Sequence, residues 1–132
     1  MRQTISILGS TGSIGLTSLD LIDRKKNKFI VFLLAANKNF RIICRQINKY
    51  KPKYFIISDK KILSKVKKKF KKKNIKFLNK FDEINLKKKI DITISAIPGL
   101  EGLQPTISMT KISKRILIAN KESVICGWGL IK

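Results

Sequence analysis

The sequence predicts an α/β fold, a parallel sheet wound on both faces by helices, and three observations carry the prediction. Short apolar runs rich in β-branched residues alternate along the chain with amphipathic stretches, the pattern that strand–helix–strand units leave in a sequence. Residues 29–35 (FIVFLLA) are apolar without alternation, as a strand buried on both faces must be. The first apolar run passes directly into a turn with glycine at positions 9, 12 and 15, and then into a helical pattern. Strand, glycine turn and helix in that order form the phosphate-binding unit of dinucleotide folds. The class expected is therefore a doubly wound, Rossmann-like NAD(P)-binding domain.

Each element follows from its own residues. Residues 4–8 (TISIL) are short and β-branched, which suits a buried strand. In the turn, Gly9 permits the tight bend, Gly12 lets backbone approach a pyrophosphate with no Cβ in the way, and Gly15 allows helix and strand to pack closely. The spacing G-x-x-G-x-x-G is one residue longer than the commonest fingerprint, and a strand-to-helix turn without a ligand is the competing reading. The hydroxyls of Ser10, Thr11 and Ser13 would add donors beside the backbone amides. Beyond the turn, Ile14, Leu16, Leu19 and Ile22 can form one apolar stripe on a helix.

After the strand at 29–35 comes a turn, and Ile43, Ile47 and Tyr50 then predict a helix over 40–50 that stops before Pro52. Residues 54–58 (YFIIS) read as the next strand. Between 59 and 73, Leu63, Val66 and Phe70 make one stripe with lysines elsewhere, a surface helix. A short strand at 75–78 and a small helical turn marked by Phe81, Ile84 and Leu86 follow. Residues 90–96 (IDITISA) are a strand, 101–113 a helix with Pro105 in its first turn, and 116–119 (ILIA) the last strand. Right-handed crossovers turn this order into an open parallel sheet.

Composition bounds the rest. A chain of 132 residues is expected to be one domain, 1–132, too short for a two-domain enzyme. A hydrophobic content of 43% with mean hydropathy −0.07 indicates a soluble protein, and no apolar run has the roughly eighteen residues of a membrane span. The N-terminus enters strand-like residues at once, without a leader pattern, so a cytoplasmic protein is expected. There is no histidine, and Cys44 and Cys126 are not spaced as C-x-x-C, which excludes zinc fingers and histidine acid–base chemistry.

The net charge is +22, with lysines concentrated between 60 and 89. One reading is a surface for nucleic acid or an acidic membrane. Lysine far outnumbers arginine, however, and isoleucine and asparagine are heavy too, the joint bias of codon drift in an AT-rich genome. Drift is the favoured explanation; a basic nucleic-acid-binding protein is the alternative class, and a folded remnant that binds nothing is the third.

In an open parallel sheet, ligands bind beyond the carboxyl ends of the strands. Residues 9–14, 37–39, 96–99 and 120–122 should therefore converge on one cleft. Asn37-Lys38-Asn39 could be an ordinary polar turn. It stands, however, where an NAD site presents a carboxylate to the ribose 2′-hydroxyl. No acid is present, and Lys38 offers a positive charge to a 2′-phosphate, so NADP(H) is favoured over NAD(H).

The motifs ILGSTGSIG at 7–15 and ANKES at 119–123 resemble the N-terminal region of the 1-deoxy-D-xylulose 5-phosphate reductoisomerase family, in element order over essentially the whole chain. The resemblance implies an oxidoreductase and isomerase of isoprenoid biosynthesis. Its members use NADPH to rearrange and reduce 1-deoxy-D-xylulose 5-phosphate to 2-C-methyl-D-erythritol 4-phosphate, as homodimers, with a divalent metal (Mg, Mn or Co). Carried over by position, Thr11, Gly12, Ser13 and Ile14 match contacts to the cofactor pyrophosphate. Lys38 and Asn39 match contacts to the adenosine ribose and 2′-phosphate, Asn120 and Glu122 match contacts on the nicotinamide side, and Lys121 matches a substrate contact. A lysine pinned between two cofactor ligands can reach a polar substrate.

Two departures from the family shape the expectation. Asn37 stands where the family usually has glycine; asparagine tolerates positive φ, so the turn can survive, with a Cβ and an amide beside the adenosine. The family's metal-binding carboxylates, mobile loop and phosphate pocket lie further along its chain, and none of the eight acids here clusters at strand ends. No catalytic or metal-ligating residue is therefore assigned. The resemblance implies the NADPH-binding part of the enzyme, inactive alone, as a fragment or a degenerate gene product.

Overall fold

A computed structural model of the protein describes residues 2–119. Its strands are β1 (Gln3–Leu8), β2 (Phe29–Ala36), β3 (Tyr54–Ile57), β4 (Lys76–Leu78), β5 (Ile90–Ser95) and β6 (Ser113–Ile118). Its α-helices are α1 (Ser13–Asp23), α2 (Phe40–Tyr50), α3 (Lys60–Lys69) and α4 (Leu103–Thr110), with 3-10 turns at Phe81–Glu83 and Leu100–Gly102. The strands form one sheet in the order β4-β3-β2-β1-β5-β6, and every adjacent pair is parallel. The order reverses between β1 and β5, so the switch point falls at the carboxyl end of β1, where the glycine turn lies.

The two faces of the sheet are filled differently. Ile5, Ile7, Val31, Leu34, Phe55 and Ile57 point to one side, where α1, α2 and α3 close over them with Leu19, Ile22, Ile43, Ile47, Leu63 and Val66. The other side holds Leu8, Leu33, Ala35, Tyr54 and Ile56 against Ile84 and Met109. There the cover is the short helix α4 and the segment leading into β5. At the amino ends of β1 and β5, Thr4 donates its backbone N–H to Asp91 Oδ2 (2.9 Å), and the Asp91 N–H returns to Thr4 Oγ1 (2.9 Å). The Thr4 N–H on its oxygen, with Lys114 3.1 Å away, holds the Asp91 carboxyl below its usual pKa.

Several boundaries and faces differ from the sequence-based expectation. On α1 the buried positions are Gly15, Leu19 and Ile22, while Ile14 and Leu16 are 46% and 41% exposed. The stripe is thus i, i+4, i+7 counted from a glycine, which hydropathy alone does not mark. Helix α3 stops at Lys69 rather than reaching residue 73, because the buried Phe70 leaves helical geometry and caps it, donating its N–H to the Val66 carbonyl. The helical turn near Phe81 is a single 3-10 turn. Strand β6 begins at Ser113, inside the span 101–113 that the sequence predicts as helix. Pairing with β5 starts there, and the Ser113 hydroxyl lies 2.7 Å from that of Thr93.

Candidate dinucleotide-binding cleft

The glycine turn is built by contacts that differ from one glycine to the next. Gly9 has φ +82°, and a Cβ there would sit 2.9 Å from the Ala96 carbonyl oxygen at the end of β5. A Cβ on Gly15 would sit 2.2 Å from the Gly9 oxygen, so α1 can lie on the turn only without a side chain at that point. Gly12 is different. A Cβ there would meet only the Gly9 oxygen at 3.6 Å, an ordinary contact, and its φ of −81° suits any residue. The fold does not require glycine at 12; a ligand approaching the backbone would.

Gly12 is also the N-cap of α1 and supplies no side-chain cap, and no acid stands in the first turn. The helix therefore presents its first N–H groups, at the positive end of its dipole, without a protein side chain covering them. That arrangement attracts a phosphate.

The turn opens onto a cavity of about 360 Å³ at the carboxyl edge of the sheet. Gly9, Thr11 and Gly12 line it from the turn, Asn37 from the end of β2, and Ala96, Ile97 and Pro98 from the end of β5. Three of the four segments expected to converge do so, and the fourth, 120–122, lies outside the described residues. Ser58 at the end of β3, Phe81, Glu101 and Pro105 complete the wall. Among the described residues that line it, Glu101 is the one ionisable side chain; the walls are otherwise small, apolar or amide, as a cofactor cleft requires. A larger cavity of about 590 Å³ opens by contrast at the amino edge, among Arg2, Lys53, Lys114 and the lysines at 87–89. It lies at the opposite end of the strands from the glycine turn.

The assigned residues fall into place unequally. Thr11 and Gly12 line the cleft. Ser13 and Ile14 open α1, both exposed, and their carbonyls accept the hydroxyls of Thr17 (2.9 Å) and Ser18 (2.8 Å). Lys38 is exposed directly after Asn37. Asn39 is the N-cap of α2, its Oδ1 accepting the Ile42 N–H at 3.3 Å, which leaves its side-chain NH₂ for other partners. Asn120, Lys121 and Glu122 lie outside the described residues, as does Cys126.

Two expectations are corrected. Ser10 offers no hydroxyl to a phosphate: it is fully buried, and its Oγ donates to Gln46 Oε1 of α2 at 2.7 Å. Asn37 does not carry positive φ; among the described residues Lys51 is the one non-glycine that does. Its Oδ1 instead accepts the Ser58 hydroxyl at 3.0 Å, which ties the amide to β3.

Sequence reasoning missed Gln46, Ser58 and Asn79. Asn79 donates to the Ile57 and Ser58 carbonyls, both at 3.0 Å, closing the end of β3. Gln46 left one usable signal, a polar residue on the buried face of α2 beside Ile43 and Ile47. Among the described residues no group of three or more histidine, cysteine, aspartate or glutamate side chains could hold a metal ion.

Fold and cleft together define a parallel α/β domain of the dinucleotide-binding class, with a glycine turn at its switch point. The chain belongs to the 1-deoxy-D-xylulose 5-phosphate reductoisomerase family, whose sequence pattern matches residues 5–128. It is 41% identical over 134 residues to the 1-deoxy-D-xylulose 5-phosphate reductoisomerase of Pelagibacter ubique, covering 98% of this chain and 34% of that protein. To the enzyme of that name from Buchnera aphidicola subsp. Schizaphis graminum it is 40% identical, covering 95% of this chain and 33% of the relative. The chain thus spans about a third of the length of the curated relatives it matches.

Solved structures agree. The Zymomonas mobilis reductoisomerase in complex with NADPH superposes with a TM-score of 0.87 at 30% identity, over 99% of this chain and 35% of that one. A DOX-P reductoisomerase in complex with NADPH, fosmidomycin and magnesium superposes with a TM-score of 0.88 at 27% identity, over 98% of this chain and 33% of that one.

Proposed function

We propose that this chain is the NADPH-binding portion of a 1-deoxy-D-xylulose 5-phosphate reductoisomerase, the oxidoreductase that rearranges and reduces that substrate. The observation that carries the reading is Gly12. It stands at the head of α1 without a side-chain cap, a Cβ there would meet only the Gly9 oxygen at an ordinary 3.6 Å, and it lies beside a cleft at the switch point of the sheet. Thr11, Ser13 and Ile14 bind the pyrophosphate through backbone N–H groups and the Thr11 and Ser13 hydroxyls, while Gly12, whose own N–H donates to the Gly9 carbonyl at 3.2 Å, lets the phosphate lie against the backbone. Lys38 pairs with the 2′-phosphate, with Asn39 beside it at the start of α2. Asn120 and Glu122 hold the nicotinamide end, and Lys121 contacts the substrate. The NADPH-bound relative of the same fold supports the cofactor.

NADPH supplies a hydride; what these residues do is bind and orient it. The reaction also needs negative charge stabilised on the substrate oxygens, a task a divalent metal performs in reductoisomerases of this kind. The described residues offer no ligand set for that ion, so no step is assigned to it here. The 132-residue chain alone is proposed to bind NADPH without turning over substrate. Homodimer assembly and a cytoplasmic setting follow the family reading; among the described residues no helix is long and apolar enough to cross a membrane.

Fluorescence titration tests the reading. NADPH should bind saturably and more tightly than NADH. Gly12→Ala should keep the thermal unfolding midpoint, yet weaken NADPH by about tenfold or more, since a methyl displaces the phosphate from its N–H donors. Equal affinity for the two cofactors, or an unchanged NADPH affinity in Gly12→Ala, would refute the assigned contacts.

A further inference from the structure

We propose that Gln46 is a positioning residue for the cofactor, a buried clamp that holds the glycine turn in its anion-binding shape and couples it to the helix that starts beside Lys38. The inference rests on the NADPH reading above and deepens it. Gln46 is 4% exposed and Ser10 is fully buried. They make two hydrogen bonds across 36 residues of sequence: Ser10 Oγ donates to Gln46 Oε1 at 2.7 Å, and Gln46 Nε2 donates to the Ser10 carbonyl at 2.8 Å. The amide therefore grips both the side chain and the backbone of one residue.

A buried amide costs free energy unless its partners are supplied, and its neighbours on that face of α2 are Ile43, Cys44 and Ile47. Leucine or methionine would cover the same apolar surface more cheaply. What the amide does that they cannot is fix a loop. Ser10 also donates its N–H to the Ala35 carbonyl at 2.9 Å, so its three polar groups are all held by protein. With Ser10 fixed and Gly15 lying against the Gly9 carbonyl, the segment between them has one course, and Thr11 and Gly12 face the cleft.

The clamp spans the two halves of the cofactor site. Helix α2 begins at its Asn39 cap, next to Lys38, and meets the turn through Gln46 two helical turns later. The pyrophosphate end should therefore depend on Gln46 more than the 2′-phosphate end does.

The test uses the 132-residue chain, with NADPH and 2′-AMP as probes followed by fluorescence and NMR titration. Gln46→Met removes both bonds and keeps the packing; Ser10→Ala removes one bond and serves if the first variant does not fold. Gln46→Met should weaken NADPH about tenfold and 2′-AMP less than about twofold, with the Ser10→Ala loss smaller and the two losses non-additive. Amide exchange at residues 10–14 should accelerate while that of α2 is unchanged. Equal weakening of both probes, or exchange at 10–14 no faster than in the parent chain, overturns the proposal. If the parent chain binds neither probe, the NADPH reading has failed, and the exchange result alone decides whether the clamp exists.

Discussion

One face of the sheet is closed by three helices and the other by one short helix, and different chemistry holds each. On the α1–α3 face the seam is apolar and closely fitted, with Ile7, Leu34, Ile43, Ile47, Phe55, Ile57 and Val66 essentially inaccessible. On the α4 face the helix buries few of its own residues, Thr106 and Met109, and meets hydroxyls. Thr106 Oγ1 lies 2.5 Å from Ser95 Oγ and donates to the Gly102 carbonyl at 2.6 Å. Thr93 pairs with Ser113 in the same layer, and Ser6 is buried there with no hydrogen-bond partner for its hydroxyl among the described residues.

The difference teaches how each face is specified. Apolar packing is non-directional and tolerates some repacking. Hydroxyl pairs work at one geometry, and each is worth little net but costs more when one partner is removed. The α1–α3 face should therefore carry most of the stability, while the α4 face fixes the position of Glu101 and Pro105 in the cleft wall.

The largest effect expected from breaking this contrast is at the point of closest fit. Gly15→Ala puts a Cβ where the Gly9 oxygen already is. Since both groups are backbone, no rotamer relieves the clash, and a loss on the order of 4 kcal/mol is expected in urea unfolding. A loss below about 1 kcal/mol would mean that the turn can move away.

Next comes a matched pair across the sheet. Ile43→Ala, at a site with no exposure, should cost about 3 kcal/mol through lost transfer energy and a cavity. Thr106→Val keeps the shape, strands the Ser95 hydroxyl and should cost about 1–2 kcal/mol. A Thr106→Val loss exceeding that of Ile43→Ala would reverse the assignment of which face carries stability. The smallest effect is at Ser6. Because its hydroxyl is buried and has no partner among the described residues, Ser6→Ala should be neutral or stabilising by up to about 1 kcal/mol. A clear destabilisation there would reveal a partner for that hydroxyl.

The same contrast explains what could be read in advance. Two of the three helices over the first face show their buried side by spacing, α2 through Ile43, Ile47 and Tyr50 and α3 through Leu63, Val66 and Phe70, whereas on α1 the buried side starts from Gly15 and leaves Ile14 and Leu16 exposed. The α4 segment has no such stripe, and its boundary is not legible: residues through Ser113 read as helix, although strand pairing already begins at that serine.

In the cleft, glycine spacing located the turn but could not rank its members, because Gly9 and Gly15 are forced by the Ala96 and Gly9 carbonyls, and Gly12 by nothing among the described residues. Likewise Ser10, Thr11 and Ser13 are alike as hydroxyls in a string, yet Ser10 is turned inward by an amide 36 residues away.

Residues close together in the chain are enough for the parallel α/β class, the order of its strands and helices, and the place of the glycine turn. Those follow from local periodicity, from runs of β-branched residues and from glycine, all of which act within a few positions along the chain. Which helix face is buried on α1, which turn hydroxyl faces the cleft, and that Asn37 is held by Ser58 rather than bent into positive φ come from contacts between distant segments. Each of those depends on a partner brought close by folding, and the energy that selects it, a buried hydrogen bond made or left unmade, does not exist until the two segments meet.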